Sequence, residues 1–381
     1  MRASRPHRLR HQAAPYLFVA PFVAAFAVFG LYPMAKSLWL SLFITHGPQS
    51  RVFVGLENFT AILADPSFHK AVWNTAVFAG GSVFIQLPLS LGLALLLNSR
   101  VLRARHAFRF GFFSPFLLGQ VFVAVLFSVI YAPRFGLLNM WLYAVTNRSP
   151  GDLRWLALTS GAVVGLVALV PTIHLGTVLA RGAVRRWRGG QRGEAGLRAA
   201  ALVLAAGEFV AIFWPADGLL ARALGLLRFP IDMNWLGESA LVMPALILTA
   251  LWMYVGFNMI YFLAALQAVE RDLYDAAHVD GAGPFQRFLH VTLPSIRPVA
   301  AFVVVLSTIG SFQLFELPYV MLQQSAGPGQ AGLTIVMYLY QKGFEAGDLG
   351  FASAVGWMLA LGVMVLAVAQ LRLSGTWKRE A

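Results

Sequence analysis

The chain has 381 residues, of which 59% are hydrophobic and only 12% charged, whereas an ordinary soluble domain carries about 25% charged residues. That balance excludes a soluble globular protein and describes a chain built for lipid. The net charge is +13 and there are no cysteines, so disulfides, thiolate metal sites and cysteine nucleophiles are excluded, and the meaning of the basic excess rests on where it sits.

Apolar segments occur at about 14–44, 74–98, 108–132, 156–180, 198–214, 240–265, 298–320 and 351–371. Most approach the length of about 20 residues that crosses roughly 30 Å of hydrocarbon as a helix. A spanning backbone must satisfy its own polar groups within a helix or a closed barrel. The alternating segments of about 10 residues that build a barrel are absent. The expected fold is therefore all-α, a polytopic helical membrane protein with about eight transmembrane helices. The first segment does not read as a cleavable signal peptide, because its apolar run is too long and Tyr32, Pro33 and Lys36 stand where small residues would mark a cleavage site.

If the chain starts inside, the inner connections carry Arg2, Arg5, Arg8 and Arg10, then Arg100, Arg103, Arg105 and Arg109, then Arg181 through Arg198, Arg271 through Arg297, and the tail. These hold 20 of the 29 Lys and Arg residues and the outer connections 8, with Lys36 left inside a span. The asymmetry obeys the positive-inside rule with both termini cytoplasmic. It also explains the basic turn Arg181–Arg198, where Trp187 is the lone interleaved aromatic, and no nucleic-acid function is assigned. Trp39, Trp73, Trp155, Trp214 and Trp377 lie near segment ends, which suits either an interfacial belt or a bundle core. The expected order is a basic N-terminus at 1–13, transmembrane helices at 14–144, a hairpin at 145–230, a transmembrane core at 231–372 and a tail at 373–381. The second apolar run of the hairpin is short and contains Glu208, so it reads as a span or as a re-entrant or interfacial segment.

Residues 270–298 are too polar to span and too regular for a linker. Glu270 to Val279 are good helix formers, with Leu273, Ala276 and Ala277 at helical spacing; Asp280, Gly281 and Gly283 interrupt them, and Pro284 opens a second helix with Phe285, Phe288 and Leu289 along one stripe. Composition leaves two readings open: a pair of helices that docks in a partner's groove, or an amphipathic segment resting on lipid.

The run Asp275-Ala276-Ala277, Asp280-Gly281-Ala282, Phe288 and Leu293-Pro294 resembles the cytoplasmic E-A-A loop of the permease subunits of binding-protein-dependent ABC importers. Asp275 departs from the usual glutamate by one methylene and keeps the charge. Val54 to Phe59, Asn74-Thr75, Arg109 to Pro115, Gly136 to Asn139, Trp235-Leu236, Phe315-Glu316 through Pro328, Tyr338 to Phe344 and Gly350 to Ala354 are similar to the sugar-transporting branch. The likeness covers nearly everything except about 145–230, which reads as an inserted hairpin in a six-helix family core.

The resemblance implies a type I importer permease in the bacterial inner membrane for a carbohydrate or sugar derivative. It implies ABC ATPase subunits, a second permease subunit and an external solute-binding protein as partners, besides membrane lipid. It makes Tyr274, Asp275, Ala276, Ala277, Asp280, Gly281, Ala282, Phe285, Phe288, Leu293 and Pro294 the ATPase-coupling residues, and it places the binding protein on the outside loops, 45–73 and 321–350 among them. The chain has no G-x-x-x-x-G-K-[ST] phosphate loop. ATP and magnesium are thus expected on the partner ATPase and no cofactor on this chain. Asn258, Ser311, Gln313 and Glu316 are polar residues in the helices flanking the loop, and each reads as a substrate-path candidate or as a helix-to-helix hydrogen-bonding group. His174 beside Pro171 reads as structural, and no metal spacing appears. A membrane enzyme would need clustered catalytic groups near one interface, and a channel or a self-contained transporter would have no use for the loop.

Overall fold

The computed structural model describes residues 18–47, 50–98, 105–146 and 233–375. In chain order its elements are α1 (Phe18–Leu40), β1 (Phe43–His46), β2 (Ser50–Phe53), α2 (Glu57–Ala64), α3 (Pro66–Asn98), α4 (Arg105–Leu117), α5 (Gln120–Ile130) and α6 (Leu137–Thr146). There follow α7 (Ser239–Gln267), α8 (Arg271–Val279), α9 (Pro284–Phe312), α10 (Glu316–Met321), α11 (Ile335–Tyr340) and α12 (Leu349–Ser374). Among the described residues α1, α3, α7, α9 and α12 are long and apolar enough to cross a membrane, and α4 with α5 makes a sixth candidate if that bent pair is one span. The expected spans at 156–180 and 198–214 lie outside the described residues.

Two expected spans are broken. The segment expected at 108–132 bends by 96° between α4 and α5, where Gly119 has φ +77°, a left-handed conformation that ends a right-handed helix. The segment expected at 298–320 stops at Phe312, and α10 begins only at Glu316. Pro318 supplies the reason. Its missing N–H and its ring would disrupt a continuous helix through Leu314, whereas the first turn of a new helix accepts it.

The first of two compact units comprises residues up to Trp73 with Thr334–Val368. Its β1–β2 hairpin is antiparallel, and Asn58, buried, donates from Nδ2 to the carbonyls of Ser41 and Phe43, both at 2.9 Å. The Asp348 carboxylate caps α12 by accepting from the Phe351 N–H at 3.0 Å, and the same oxygen accepts from the Thr45 backbone N–H at 3.0 Å and its hydroxyl at 3.1 Å. Nearby, Asp65 Oδ2 accepts from the buried Tyr338 phenol at 2.7 Å and pairs with the Lys342 ammonium at 3.2 Å, while Oδ1 accepts from the Ser67 N–H at 2.8 Å.

Burial pushes the Asp65 carboxyl upward, but these hydrogen bonds and the ammonium outweigh it and hold the group below its ordinary value. Burial, then the hydrogen bond to Asp65, pushes the Tyr338 phenol well above its ordinary value. A lowered acid contributes stability above its unfolded pKa of about 4 and loses it as pH falls through the folded value; a raised phenol contributes below about 10 and loses it as pH rises. The Asp65→Asn variant is therefore expected to unfold at lower temperature than the native chain between about pH 4 and 10, by a charge-assisted hydrogen bond's worth of about 1.5–3 kcal/mol. The two should converge at lower pH. A constant difference in thermal midpoint down to pH 2 would contradict this assignment.

The second unit comprises Asn74–Leu333 with the end of α12. Its helix α7 is apolar on every side and is the central element, packed by α3 and α4. Small residues allow the approach: a Cβ on Gly81 would lie 2.8 Å from Ile247, and one on Gly256 would overlap the backbone of Phe112. Buried polar side chains serve the backbone. Ser90 Oγ donates to the Val255 carbonyl at 2.9 Å; Asn74 Nδ2 donates to the carbonyls of Gln330 and Leu333 at 2.8 and 3.0 Å. Asn139 Nδ2 donates to the Met233 carbonyl at 2.7 Å, and Trp235 Nε1 donates to Asn139 Oδ1 at 2.7 Å.

Candidate coupling loop and transport path

The loop starts where α7 ends. Glu270 is extended, and α8 runs from Arg271 to Val279. It closes on a complete Schellman turn: the Gly281 N–H donates to the His278 carbonyl at 3.1 Å and the Ala282 N–H to the Ala277 carbonyl at 2.9 Å, with Gly281 at φ +76°. Gly283 then takes the N-cap position of α9, its N–H donating to Gln286 Oε1 at 2.8 Å, and Pro284 occupies the first turn. The expected second short helix is in fact the first turns of α9, which continues through a π-helical turn at Phe288–Thr292 into a candidate span. The loop is thus one free helix, a tight turn, and the end of a long rod.

The apolar side chains of this segment have little to cover them within the chain. Val279 is 87% exposed and Phe285 71%, and Leu273, Leu289 and Leu293 are also exposed. Asp275, Ala276, Asp280, Gly281 and Pro294 are exposed, while Tyr274, Ala277, Ala282 and Phe288 are half-buried. Between α8 and α9 lies an open notch of about 410 Å³ lined by Ala277, Asp280, Gly281, Ala282, Arg287 and His290 among others. Tyr274 turns inward, and its phenol lies 2.9 Å from the hydroxyl of Thr292, a buried residue. The eleven sequence-predicted coupling residues therefore divide between an outward face and an inward one.

The substrate-path candidates are not one cluster of similar groups. Asn258 is buried on α7; Ser311 is buried on α9 and donates to the Ser307 carbonyl of its own helix at 2.8 Å, which is a structural use. Gln313 and Glu316 are exposed at the break between α9 and α10. Sequence reasoning missed a polar and aromatic group nearby. The bend at Gly119 sets Gln120 Nε2 2.5 Å from the Tyr254 phenol, and Tyr254 lies within electrostatic reach of Glu316. The Phe116 ring is stacked on Phe257 with centroids 4.2 Å apart and tilted against Tyr254 at 5.9 Å. Gly119 in a strongly apolar run was the available signal for that bend. Among the described residues no group of His, Cys, Asp or Glu could hold a metal ion.

A mostly helical membrane protein carrying a helix–turn–helix with an exposed apolar face is the class defined so far, and comparison with known proteins narrows it. Residues 195–375 match the family described as binding-protein-dependent transport system inner membrane component. Over 369 residues the chain is 32% identical to the arabinooligosaccharides transport system permease protein AraP of Bacillus subtilis, covering 97% of this chain and 91% of that one. It is 29% identical to the lactose transport system permease protein LacF of Rhizobium radiobacter, covering 93% and 92%. A crystal structure of a bacterial ABC transporter that imports the acidic polysaccharide alginate shares the fold, with a TM-score of 0.65 at 19% identity over 97% of this chain and 98% of that one. The chain belongs to this family of inner-membrane permease subunits of ABC importers, and in such systems ATP hydrolysis resides on a separate subunit and a solute-binding protein delivers the cargo.

Proposed function

We propose that this chain carries a carbohydrate or carbohydrate derivative across the inner membrane, coupled to a separate ATPase through Tyr274 to Pro294. The observation that supports the reading best is the α8–turn–α9 unit, whose exposed Val279 and Phe285 flank a Schellman turn on the end of a candidate span. Closure of two ATPase subunits would draw such loops together and rock the attached helices between inward-open and outward-open states. Both termini are assigned to the cytoplasm, which the arginine distribution favours. The cargo class follows the sugar transporters to which the chain is similar.

The complex is assigned a second, different permease subunit and a binding protein that docks on the loops at 45–73 and 321–350. The path through the membrane is assigned to Asn258, Ser311, Gln313 and Glu316, joined by Gln120 and Tyr254. Aromatic faces such as Phe116 and Phe257 suit the apolar faces of a sugar ring, while Gln120, Tyr254 and Glu316 offer partners to its hydroxyls.

The test is purification of the tagged native chain in detergent with identification of what accompanies it. An ATPase and a second permease are expected. The double variant Val279→Asp, Phe285→Asp is expected to keep the chain at its native level and lose the ATPase, because two exposed apolar anchors at an interface are each worth about 2 kcal/mol. Full retention of the ATPase by that variant would remove the docking assignment, and a native chain purified with no ATPase would remove the reading as a whole.

A further inference from the structure

Tyr274 faces away from the surface on which the partner is proposed to dock. Its phenol approaches Thr292 Oγ1 at 2.9 Å, and Thr292 Oγ1 donates to the Arg287 carbonyl at 3.4 Å. Threonine has one hydroxyl proton, so once it is given to Arg287 the phenol is the donor of the first bond. Thr292 is buried and closes the π-helical turn Phe288–Thr292, in which the wider backbone spacing leaves room for the side chain to reach a carbonyl five residues back. Among the described residues this is the one side-chain hydrogen bond between α8 and α9, which are also joined through the turn Asp280–Gly283.

We infer that Tyr274 and Thr292 form a latch that converts movement of α8 into movement of α9. The inference rests on the proposed coupling role of the loop and assigns Tyr274 an inward positioning role in place of contact with the ATPase. Two rods held together only at their near ends, by a short turn, would be free to splay apart about that turn. A second attachment on the far side of the pivot, a full turn or more along each helix, removes that freedom. A displacement imposed at Val279 or Phe285 then travels along α9 as a rigid element instead of being absorbed at the turn. Placing the contact on the π turn adds a reason for that irregularity: a regular α-helix would set residue 292 at a different rotation about the axis.

The absence of cysteine in the chain gives a reporter without background from this subunit. A cysteine placed by Gly310→Cys, where a Cβ meets nothing within 4 Å, lies on α9 well beyond the latch. In the purified complex, its rate of maleimide labelling is measured with and without ATP and orthovanadate, which trap the closed ATPase. The reporter chain is expected to show a nucleotide-dependent rate. Added to it, Tyr274→Phe and Thr292→Val are each expected to keep the ATPase bound and to reduce the nucleotide-dependent change about fivefold, the equilibrium effect of one net hydrogen bond. Thr292→Ser should retain the response, and the Tyr274→Phe, Thr292→Val double variant should be no worse than either single one.

An undiminished response in both single variants, or additive losses in the double variant, would overturn the latch. Loss of the ATPase from Tyr274→Phe would overturn it too, because Tyr274 would then be a docking residue. Failure of the ATPase to accompany the reporter chain itself would overturn the underlying coupling assignment instead.

Discussion

Replacing Gly281 with leucine is expected to leave the chain in the membrane at its native level and to abolish ATP-coupled uptake. The glycine sits at φ +76° with no heavy atom within 4 Å of the position a Cβ would take. A substitution there meets no steric wall, and its cost is conformational. An L-residue held left-handed costs about 1–2 kcal/mol, which suffices to release the two bonds from Gly281 and Ala282 that close α8. Leucine would add an apolar side chain to the surface proposed to seat on the ATPase. The series separates these effects: Gly281→Asn should retain most uptake, since asparagine tolerates the left-handed region better than other non-glycine residues, Gly281→Ala should fall between, and Gly281→Leu should be inactive. Sugar uptake in cells against chain level by immunoblot is the measurement. Native uptake by the leucine variant would show that this turn does not constrain coupling.

Much of this fold was legible because the rules that govern it are local. Lengths of apolar sequence located the five long helices among the described residues, though not all their ends, and glycines and prolines marked the loop: Gly281 the left-handed C′ position and Pro284 the first turn of α9. What was not legible depended on partners distant in sequence. Asn58, Asn74 and Asn139 were identified only through family resemblance; the structure gives each the same use, a buried amide that donates to backbone carbonyls of a neighbouring loop or helix end. Nothing in the local sequence says which carbonyls lack a donor. Asp348 is a similar case, an N-cap whose second duty, binding Thr45, comes from 303 residues away in sequence.

The two broken spans show a different limit. Hydropathy reports how apolar a segment is and not whether its backbone is continuous, so Gly119 and Pro318 disappear into apolar runs at 108–132 and 298–320. Both breaks fall beside polar residues, Gln120 at one and Gln313 with Glu316 at the other. Unwound backbone at membrane depth is tolerated where it is buried in protein or lines a cavity. A glycine or proline beside a polar residue in a long apolar run therefore points to a break in the helix that hydropathy alone does not report.

The largest effect on folding is expected at Gly256. An added Cβ would overlap the Phe112 carbonyl and approach the Phe113 nitrogen, and these obstacles are backbone atoms inside α4 that no side-chain rotation can clear. The two helices would have to part along their contact, breaking the packing of Phe112 beside Leu263 and Leu266 in the buried cluster. Overpacking of a core commonly costs about 1–3 kcal/mol, and a clash between two helix backbones belongs at or above the top of that range. Gly256→Val is thus expected to deplete the chain from the membrane and lower its thermal midpoint in detergent, whereas Gly310→Val, with open space at the same atom, should match the native chain on both counts. Equal levels of the two variants would mean that α4 and α7 are not in backbone contact. The comparison also bears on the proposed coupling, because α7 ends four residues before α8 begins, so that the α4–α7 contact would anchor the root of the proposed lever whose tip Gly281 shapes. A milder Gly256→Ala chain that still folds should bind the ATPase normally and transport less, which would locate its defect in the root and not at the docking surface.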